Sequence, residues 1–210
     1  MSKFCDRLFS KEFFKKDVTV SIVIALIFSI ILNLVGFDTK CERIRNNVLR
    51  LHILANSNSE EDQKMKLEIR DCLLLASNGI LDGAKNKEDA ILAANEKLST
   101  FEDIAQKVVK SYGKDYPIKI EISKTYFDTR EYEDFTLPAG QYEALRILIG
   151  KAEGKNWWCI MFPSLCIPAA KSKNSLEEVT DKSASNITKN YKKYKVKFKI
   201  VEVYEKFKNR

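Results

Sequence analysis

The chain has 210 residues, of which 45% are hydrophobic, so it can bury one core of ordinary size. Its formal net charge of +7 is unevenly spread: residues 38–185 carry 22 basic and 24 acidic side chains, whereas residues 186–210 carry nine basic and two acidic ones. This distribution argues against nucleic acid as a partner, because only one short C-terminal strip is strongly basic. We interpret that strip as a solvated, lysine-rich edge.

An uncharged stretch near the N-terminus, residues 18–37, is typical of a membrane-crossing helix. A helix of this length spans about 30 Å, the thickness of a bilayer's hydrocarbon core. Basic residues before it favour a cytoplasmic location for residues 1–17, although basic residues also follow it. The stretch is either an uncleaved transmembrane anchor or a secretory signal, and the lack of an Ala-x-Ala cleavage pattern favours the anchor. In both cases residues 38–210 form an exported domain.

The sequence of the first half of this domain predicts one strand followed by two helices. Residues 48–55 predict a strand with Leu49, Leu51 and Ile53 on one face and His52 on the other. The Ser57–Glu60 and Ser59–Asp62 spacings match a capping box at the start of a helix. That helix should end at Asp82-Gly83, and a second should run from Asn86 to Tyr112. Two helices joined by a short loop predict an antiparallel pair.

The second half reads as strands. Residues 117–123 alternate with three isoleucines inward, and residues 145–149 and 157–162 predict two more strands joined by a polar hairpin at 150–155. Residues 171–190 are rich in Ser, Lys, Asn and Thr, which predicts a flexible segment. Residues 196–200 predict a strand that runs into a short helix. Its lysines, Lys195, Lys197 and Lys199, would blunt an edge strand, or rest on an anionic membrane or an acidic partner. The predicted fold is α+β, with the helix pair packed on a mainly antiparallel sheet.

Catalytic chemistry has few candidates. His52 is the single histidine, and a nucleophilic serine or cysteine needs a base beside it. We interpret His52 as a structural strand histidine, and the acidic run Glu60 to Asp62 as a complement to a helix dipole. The sequence nominates no active site, so we expect neither enzymatic activity nor a cofactor.

Binding has a stronger candidate in the adjacent residues Trp157 and Trp158. Neighbouring residues of a strand point to opposite faces, so one ring can fill the core while the other meets a second layer, a partner or lipid. Burial of both rings is the alternative. Exposed tryptophan is typical of protein and membrane interfaces. The candidate partner-binding set is Asn156, Trp157, Trp158, His52 and Arg146.

The chain has five cysteines, an odd number. Cys5 falls on the cytoplasmic side, Cys41 close to the membrane, and Cys72 on the apolar face of a helix. Cys159 and Cys166, on either side of a Pro163 turn, are the plausible disulfide in an exported domain. Such a small loop would add about 2–3 kcal/mol. Zinc is a poor alternative, because the chain has a single histidine and no Cys-x-x-Cys pair with which to complete four ligands.

The exported domain contains three long motifs. They are His52-x-x-x-Asn56-Ser57-x-Ser59-x-x-Asp62-Gln63-x-x-Lys66, then Pro138-Ala139-Gly140-x-Tyr142-x-Ala144-Leu145, then Asn156-Trp157-Trp158-Cys159 with Phe162-Pro163 and Leu165-Cys166. Together these motifs resemble the stage II sporulation protein R family. The resemblance covers about residues 48–167 and returns in the tail at residues 196–202. One departure is Ser164, where the family pattern often has proline.

The resemblance implies a signal protein. Members are made in the forespore of sporulating bacteria and exported to the space between forespore and mother cell. There they trigger a membrane-embedded aspartic protease that cleaves the precursor of sigma-E. The expected partner is therefore that protease, and residues 18–37 are expected to contact the membrane. An exported hydrolase or wall-remodelling enzyme is the alternative class, and a structural wall-binding module is a third.

Overall fold

The computed structural model describes residues 11–81, 83–132, 135–163 and 176–208. The chain divides into two compact units, one ending at Lys40 and the other running from Cys41. Helix α1 (Lys11–Asn47) contains the apolar stretch predicted at residues 18–37. Its segment Lys16–Asn47 is long and apolar enough to cross a membrane, with a mean hydropathy of 2.8 over its most apolar window. This helix is consistent with export or membrane anchoring.

The second unit is an α+β domain, as the hydrophobic periods predicted. Its helices are α2 (Glu60–Leu81), α3 (Lys87–Asn95), α4 (Leu98–Ser111), α5 (Leu176–Val179), α6 (Lys182–Lys189) and α7 (Tyr191–Lys208). Its strands are β1 (Leu49–Leu54), β2 (Ile118–Phe127), β3 (Arg130–Glu131), β4 (Thr136–Leu137), β5 (Gly140–Ile149) and β6 (Asn156–Phe162).

Four strands form a mixed sheet in the order β2-β5-β1-β6. The β2–β5 and β1–β6 pairs are antiparallel, whereas β1 and β5 run parallel in the centre. A parallel pair needs a long crossover, and here the chain passes through α2, α3, α4 and β2 between the two strands. Strands β3 and β4 form a separate two-stranded sheet.

Helices α2, α3 and α4 cover one side of the sheet, which we call the covered face. Leu51 of β1 aligns with Leu145 of β5 and with Cys159 of β6, and Ile53 aligns with Ile147 and Trp157. These rows meet the buried helix residues in one apolar cluster. The cluster forms because alternate strand positions and every third or fourth helix position carry apolar side chains.

The first of the three motifs, which begins at His52, connects the start of α2 to the β5–β6 hairpin. Ser57 Oγ and Asn56 Nδ2 donate to Asp62 Oδ2 at 2.6 and 2.9 Å, and the Asp62 backbone N–H donates to Ser59 Oγ at 3.2 Å. Burial alone would raise the pKa of Asp62, but hydrogen bonds from Ser57, Asn56 and Ser59 outweigh it and hold that pKa below its usual value. The predicted Ser59–Asp62 capping interaction is therefore present. Ser57, by contrast, donates its hydroxyl to Asp62 and does not cap the helix with Glu60 as predicted.

The same network reaches the hairpin that leads into the tryptophan strand. Lys66 Nζ donates to Lys155 O at 2.9 Å, and the Gly154 N–H donates to Ala55 O at 2.8 Å. A Cβ built on Gly154 would lie 2.2 Å from Ser57 O, so this position requires glycine. The motif thus fixes β6 relative to β1.

The second motif lies against a buried ion pair. Arg45 Nη1 donates to Ala139 O at 3.0 Å, while Arg45 Nη2 lies 3.4 Å from Glu205 Oε1. Tyr142 Oη donates to Pro138 O at 2.6 Å. Because Gly140 has φ +139° and its added Cβ would lie 2.5 Å from Arg45 Cδ, only glycine fits there. These contacts hold the C-terminal helix α7 beside β5.

The predicted second helix, Asn86 to Tyr112, is two helices. It breaks after Asn95, where the Lys97 N–H bonds Ala94 O in a tight turn, and α4 begins at Leu98. The buried positions Ala94 and Phe101 on either side are seven residues apart. That spacing keeps the apolar stripe in phase across the break, so periodicity could not reveal it.

Two predictions for the C-terminal region were wrong at least in part, those of a flexible segment at 171–190 and of a strand at 196–200, whereas the short helix predicted after the strand is present as the end of α7. Part of the segment 171–190 that we predicted to be flexible is helical, since α5 and α6 occupy 176–179 and 182–189; residues 171–175 lie outside the described residues. Asp181 starts α6 by accepting hydrogen bonds from the Ser183 and Ala184 N–H groups, both at 2.8 Å. A polar composition had hidden this cap.

Residues 196–200 belong to helix α7, not to a strand. Their alternation is misleading because Phe198 is buried while Val196 is 73% exposed. The buried positions of α7 are Phe198, Val201, Glu202 and Glu205, which have the spacing of one helix face. The lysines we placed on a strand edge, Lys195, Lys197 and Lys199, therefore project from a helix, which suits the high helix propensity of lysine.

Candidate functional site

The sheet side opposite α2, α3 and α4 carries the polar residues of the strands, and we call it the polar face. One cross-strand row runs over all four strands: Glu121 of β2, Arg146 of β5, His52 of β1 and Trp158 of β6. Aligned positions of adjacent strands project to the same face, so these side chains are neighbours. The strand alternation around His52 predicted this placement, away from the apolar core.

Arg50 lies on the same face, two residues before His52, and is 0% exposed. Its guanidinium carbon sits 3.9 Å from the Phe127 ring centroid and 5.0 Å from that of Tyr142. Its Nη2 donates to Tyr132 Oη at 2.9 Å. The positive charge is thus sandwiched between aromatic rings, an arrangement that cation–π attraction favours.

His52 is 6% exposed and lies among aromatic rings. Its ring stacks with Trp158 at a centroid distance of 6.2 Å and meets the edge of Phe127 at 5.6 Å. Burial, followed by the positive charges of Arg146 and Arg50, lowers the pKa of His52 to about 4. The imidazole is therefore neutral at physiological pH, and neither ring nitrogen has a hydrogen-bond partner within the part of the chain that the structure describes.

A pocket of about 260 Å³ opens on the polar face, next to the turn that joins β2 to β3. Arg130 forms part of its wall, with its guanidinium 4.4 Å from the centroid of the Trp158 ring. The lining carboxylate, Asp128, is already paired with Lys206 of α7 at 2.9 Å. The pocket is lined by Arg50, His52, Tyr126, Phe127, Asp128, Thr129, Arg130, Asn156 and Trp158.

Arg146 flanks the pocket on the β5 side. Its Nη1 lies 2.8 Å from Glu121 Oε1, so part of its charge is balanced within the sheet. Lys119, which bonds the same carboxylate at 2.7 Å, and then Arg146 hold the pKa of Glu121 below its usual value.

Trp157 lies on the opposite side of the sheet from the other sequence-predicted residues. Its ring packs at the edge of the apolar cluster, with the Arg70 guanidinium 4.3 Å from the ring centroid. The structure therefore brings Asn156, Trp158, His52 and Arg146 together and separates Trp157 from them. A strand places adjacent residues on opposite faces, as the sequence indicated, but only the fold shows which ring faces the helices.

Sequence reasoning did not single out Arg50, Arg130 or Phe127. A usable signal existed for Arg50, because it shares the strand parity of His52 and is flanked by buried leucines on both sides. Phe127 is the last residue of β2, and Arg130 is the first residue of β3. No local sequence pattern shows that this part of the chain lies beside β1.

Cys159 is disulfide-bonded, whereas Cys41 and Cys72 are not part of a disulfide. The predicted partner of Cys159, Cys166, lies outside the described residues, so the pairing stays a prediction. Across the described ranges, no group of three or more His, Cys, Asp or Glu side chains has the arrangement of a metal site.

The fold and this face define the class of protein: an α+β domain that follows an apolar helix of membrane-spanning length and carries a small cationic pocket on its sheet. The family model described as Stage II sporulation protein R matches residues 45–172. The chain is also 32% identical over 178 residues to Stage II sporulation protein R of Bacillus subtilis (strain 168), which covers 81% of this chain and 80% of that relative. No solved structure matches the chain. The chain belongs to the stage II sporulation protein R family, and its role lies in sporulation.

Proposed function

We propose that the chain is an exported forespore signal that activates a membrane-embedded aspartic protease, which then cleaves the sigma-E precursor. The activation is by binding in the space between forespore and mother cell. Family membership supports the sporulation role, and helix α1 supports export or anchoring. The polar face is the proposed contact surface for the protease.

The observation that carries this surface is the partly exposed Trp158 beside a pocket that is lined by cationic and aromatic groups. Partly exposed tryptophan and arginine side chains in such a setting are the usual anchors of protein interfaces. Arg146 and Asn156 border the same surface, which gives it a polar rim.

An exported hydrolase is the alternative function, and His52 is its candidate base. A base with a pKa of about 4 binds a proton weakly near neutral pH, far from the optimum of general-base catalysis. In the described part of the chain, its ring also has no hydrogen bond to a hydroxyl or carboxylate that would form a triad. The geometry therefore favours binding over hydrolysis.

The test is co-expression of the full chain with the protease and the sigma precursor in a non-sporulating host. We expect processing of the precursor, followed on immunoblots, to require the chain. Replacement of Trp158 by alanine should reduce processing at least thirty-fold at limiting chain levels, whereas Leu92→Ala is a matched control because Leu92 is an exposed apolar residue on α3.

Two outcomes would count against the proposal. Precursor processing that proceeds equally without the chain would remove the signalling role. Normal processing by a folded Trp158→Ala protein would move the contact surface away from the polar face.

A further inference from the structure

The pocket on the polar face contains a buried cation, Arg50, that no described residue pairs with as a counter-ion. Arg50 donates one hydrogen bond, to the phenol of Tyr132, while its Nε and Nη1 atoms have no hydrogen-bond partner in the described part of the chain. Natural proteins pair nearly all buried donors, because an unpaired one loses its contact with water and gains nothing in return. Unused donors on a buried arginine that lines an open pocket therefore point to a ligand.

The remaining charges of the pocket add to the positive potential. Arg130 lies over the Trp158 ring and has no ion pair among the described residues. Asp128 is held by Lys206, so its carboxylate is already occupied. His52 adds an imidazole N–H that has no acceptor in the described part of the chain.

We propose that this pocket binds a carboxylate of a partner polypeptide, with Arg50 and Arg130 as charged donors and His52 as a neutral one. This inference rests on the proposed function, since it names the chemistry by which the polar face recognises its protein partner. Arginine is the side chain best suited to a carboxylate, because its N–H groups form a planar, charged fork.

The size and aromatic lining of the pocket suit a carboxylate of a polypeptide. At about 260 Å³ it lies below the roughly 300–1,000 Å³ typical of metabolite sites, so it suits one side chain or a chain end. The rings of Trp158 and Phe127 would shield the ion pair from water, which strengthens it.

The chain supplies its own reporter of binding. It contains two tryptophans, so a Trp157→Phe protein keeps Trp158, in the wall of the pocket, as its one indole. The probes are the capped tripeptide acetyl-Gly-Glu-Gly-amide, its glutamine analogue, and acetyl-Gly-Gly-Gly with a free C-terminus. They are titrated, as is inorganic phosphate, against the full chain in detergent micelles at constant ionic strength.

We expect the glutamate peptide to change Trp158 emission saturably, and the glutamine peptide to bind at least ten-fold more weakly. A response to the free C-terminus instead of the glutamate peptide would identify the chain end as the source of the carboxylate. Equal responses to glutamate and glutamine, tighter binding of phosphate, or no response to any carboxylate would overturn the inference.

Arg50→Met separates a ligand-binding role from a structural one. If the arginine serves a ligand, the methionine protein should melt no lower than the parent and should lose the glutamate response, because a buried charge without a counter-ion among the described residues has been removed. A lower melting temperature with an intact response would mean that Arg50 serves packing. Should the methionine protein fail to fold, Arg130→Gln at an exposed position carries the test, with at least ten-fold weaker binding and unchanged melting.

The two proposals fail in different ways. Loss of precursor processing in the Arg50→Met protein without any carboxylate response in the parent overturns the carboxylate site and leaves the signalling role intact. A carboxylate response that Arg50→Met abolishes, together with normal processing, overturns the link between this pocket and the protease.

Discussion

The covered face and the polar face of the sheet are built from alternate residues of the same strands, yet they satisfy their side chains differently. On the covered face, Leu51, Ile53 and Ile147 belong to one apolar cluster and are at most 1% exposed. On the polar face, Arg50 and His52 are almost as deeply buried but keep polar atoms without partners in the described part of the chain. Burial therefore has two meanings in this domain: it stabilises the fold on one side and prepares charged and aromatic groups for a ligand on the other.

The largest expected effect is on the covered face. Ile53→Ala should lower the free energy of unfolding by about 3–4 kcal/mol, because it opens a cavity in a position that is fully buried against the helices. Urea denaturation of the full chain in micelles, followed by tryptophan fluorescence, measures it. Leu92→Ala, at an exposed position, should change that free energy by less than about 0.5 kcal/mol. A loss below about 1 kcal/mol at Ile53 would mean that the covered face does not carry the stability.

The next effect tests the link that sets β6 against β1. Gly154→Ala should destabilise the domain by about 2–3 kcal/mol, because the added Cβ meets the backbone oxygen of Ser57 at 2.2 Å and a backbone atom cannot easily move away. Gly83→Ala is the matched control, since nothing lies within 4 Å of its added Cβ. Equal melting temperatures for the two variants would contradict the close approach.

The adjacent residues Trp157 and Trp158 allow a direct comparison of the covered face with the polar face. Trp157→Ala should cost about 2 kcal/mol of stability, because the ring packs against the apolar cluster and Arg70. Trp158→Ala should cost less than about 1 kcal/mol of stability but weaken partner binding by about 2–4 kcal/mol. Parallel denaturation curves and precursor-processing assays measure both quantities. The reverse pattern would show that the contact surface lies on the covered face.

Sequence reasoning was sound where a local period decides the structure. In β1, β2 and α2, the apolar residues of each element face the same apolar cluster. Hydrophobic spacing therefore gave their inward faces correctly. Hydrophobic spacing failed at residues 196–200, where the alternation around Phe198 predicted a strand. These residues lie in helix α7, in which Phe198 is buried and Val196 is exposed. The pocket could not be predicted from the sequence, because Arg50 and Arg130 lie 80 residues apart in the chain. They come together only in the folded sheet, through the parallel pairing of β1 with β5 and the turn from β2 to β3.

The smallest effect is a pH dependence that belongs to the polar face. The pKa of His52 is about 4 in the folded protein, against 6.5 for the ordinary side chain, so the unfolded chain binds a proton that the folded one rejects between those values. Stability contributed by the neutral ring is therefore complete above pH 6.5 and is lost as the pH falls towards 4. We expect a loss on the order of 2 kcal/mol over that range, after allowance for partial access of water to the ring.

His52→Gln isolates this term, because glutamine does not titrate while the carboxylates of the protein remain. Denaturation curves of the two proteins at pH 7 and pH 4.5 give the difference, and the parent should lose about 1–2 kcal/mol more than the variant. An equal loss in both would mean that the ring of His52 is protonated as easily in the fold as in water. The polar face would then be wetter than its aromatic neighbours imply, and an ion pair between Arg50 and a carboxylate would be weaker there.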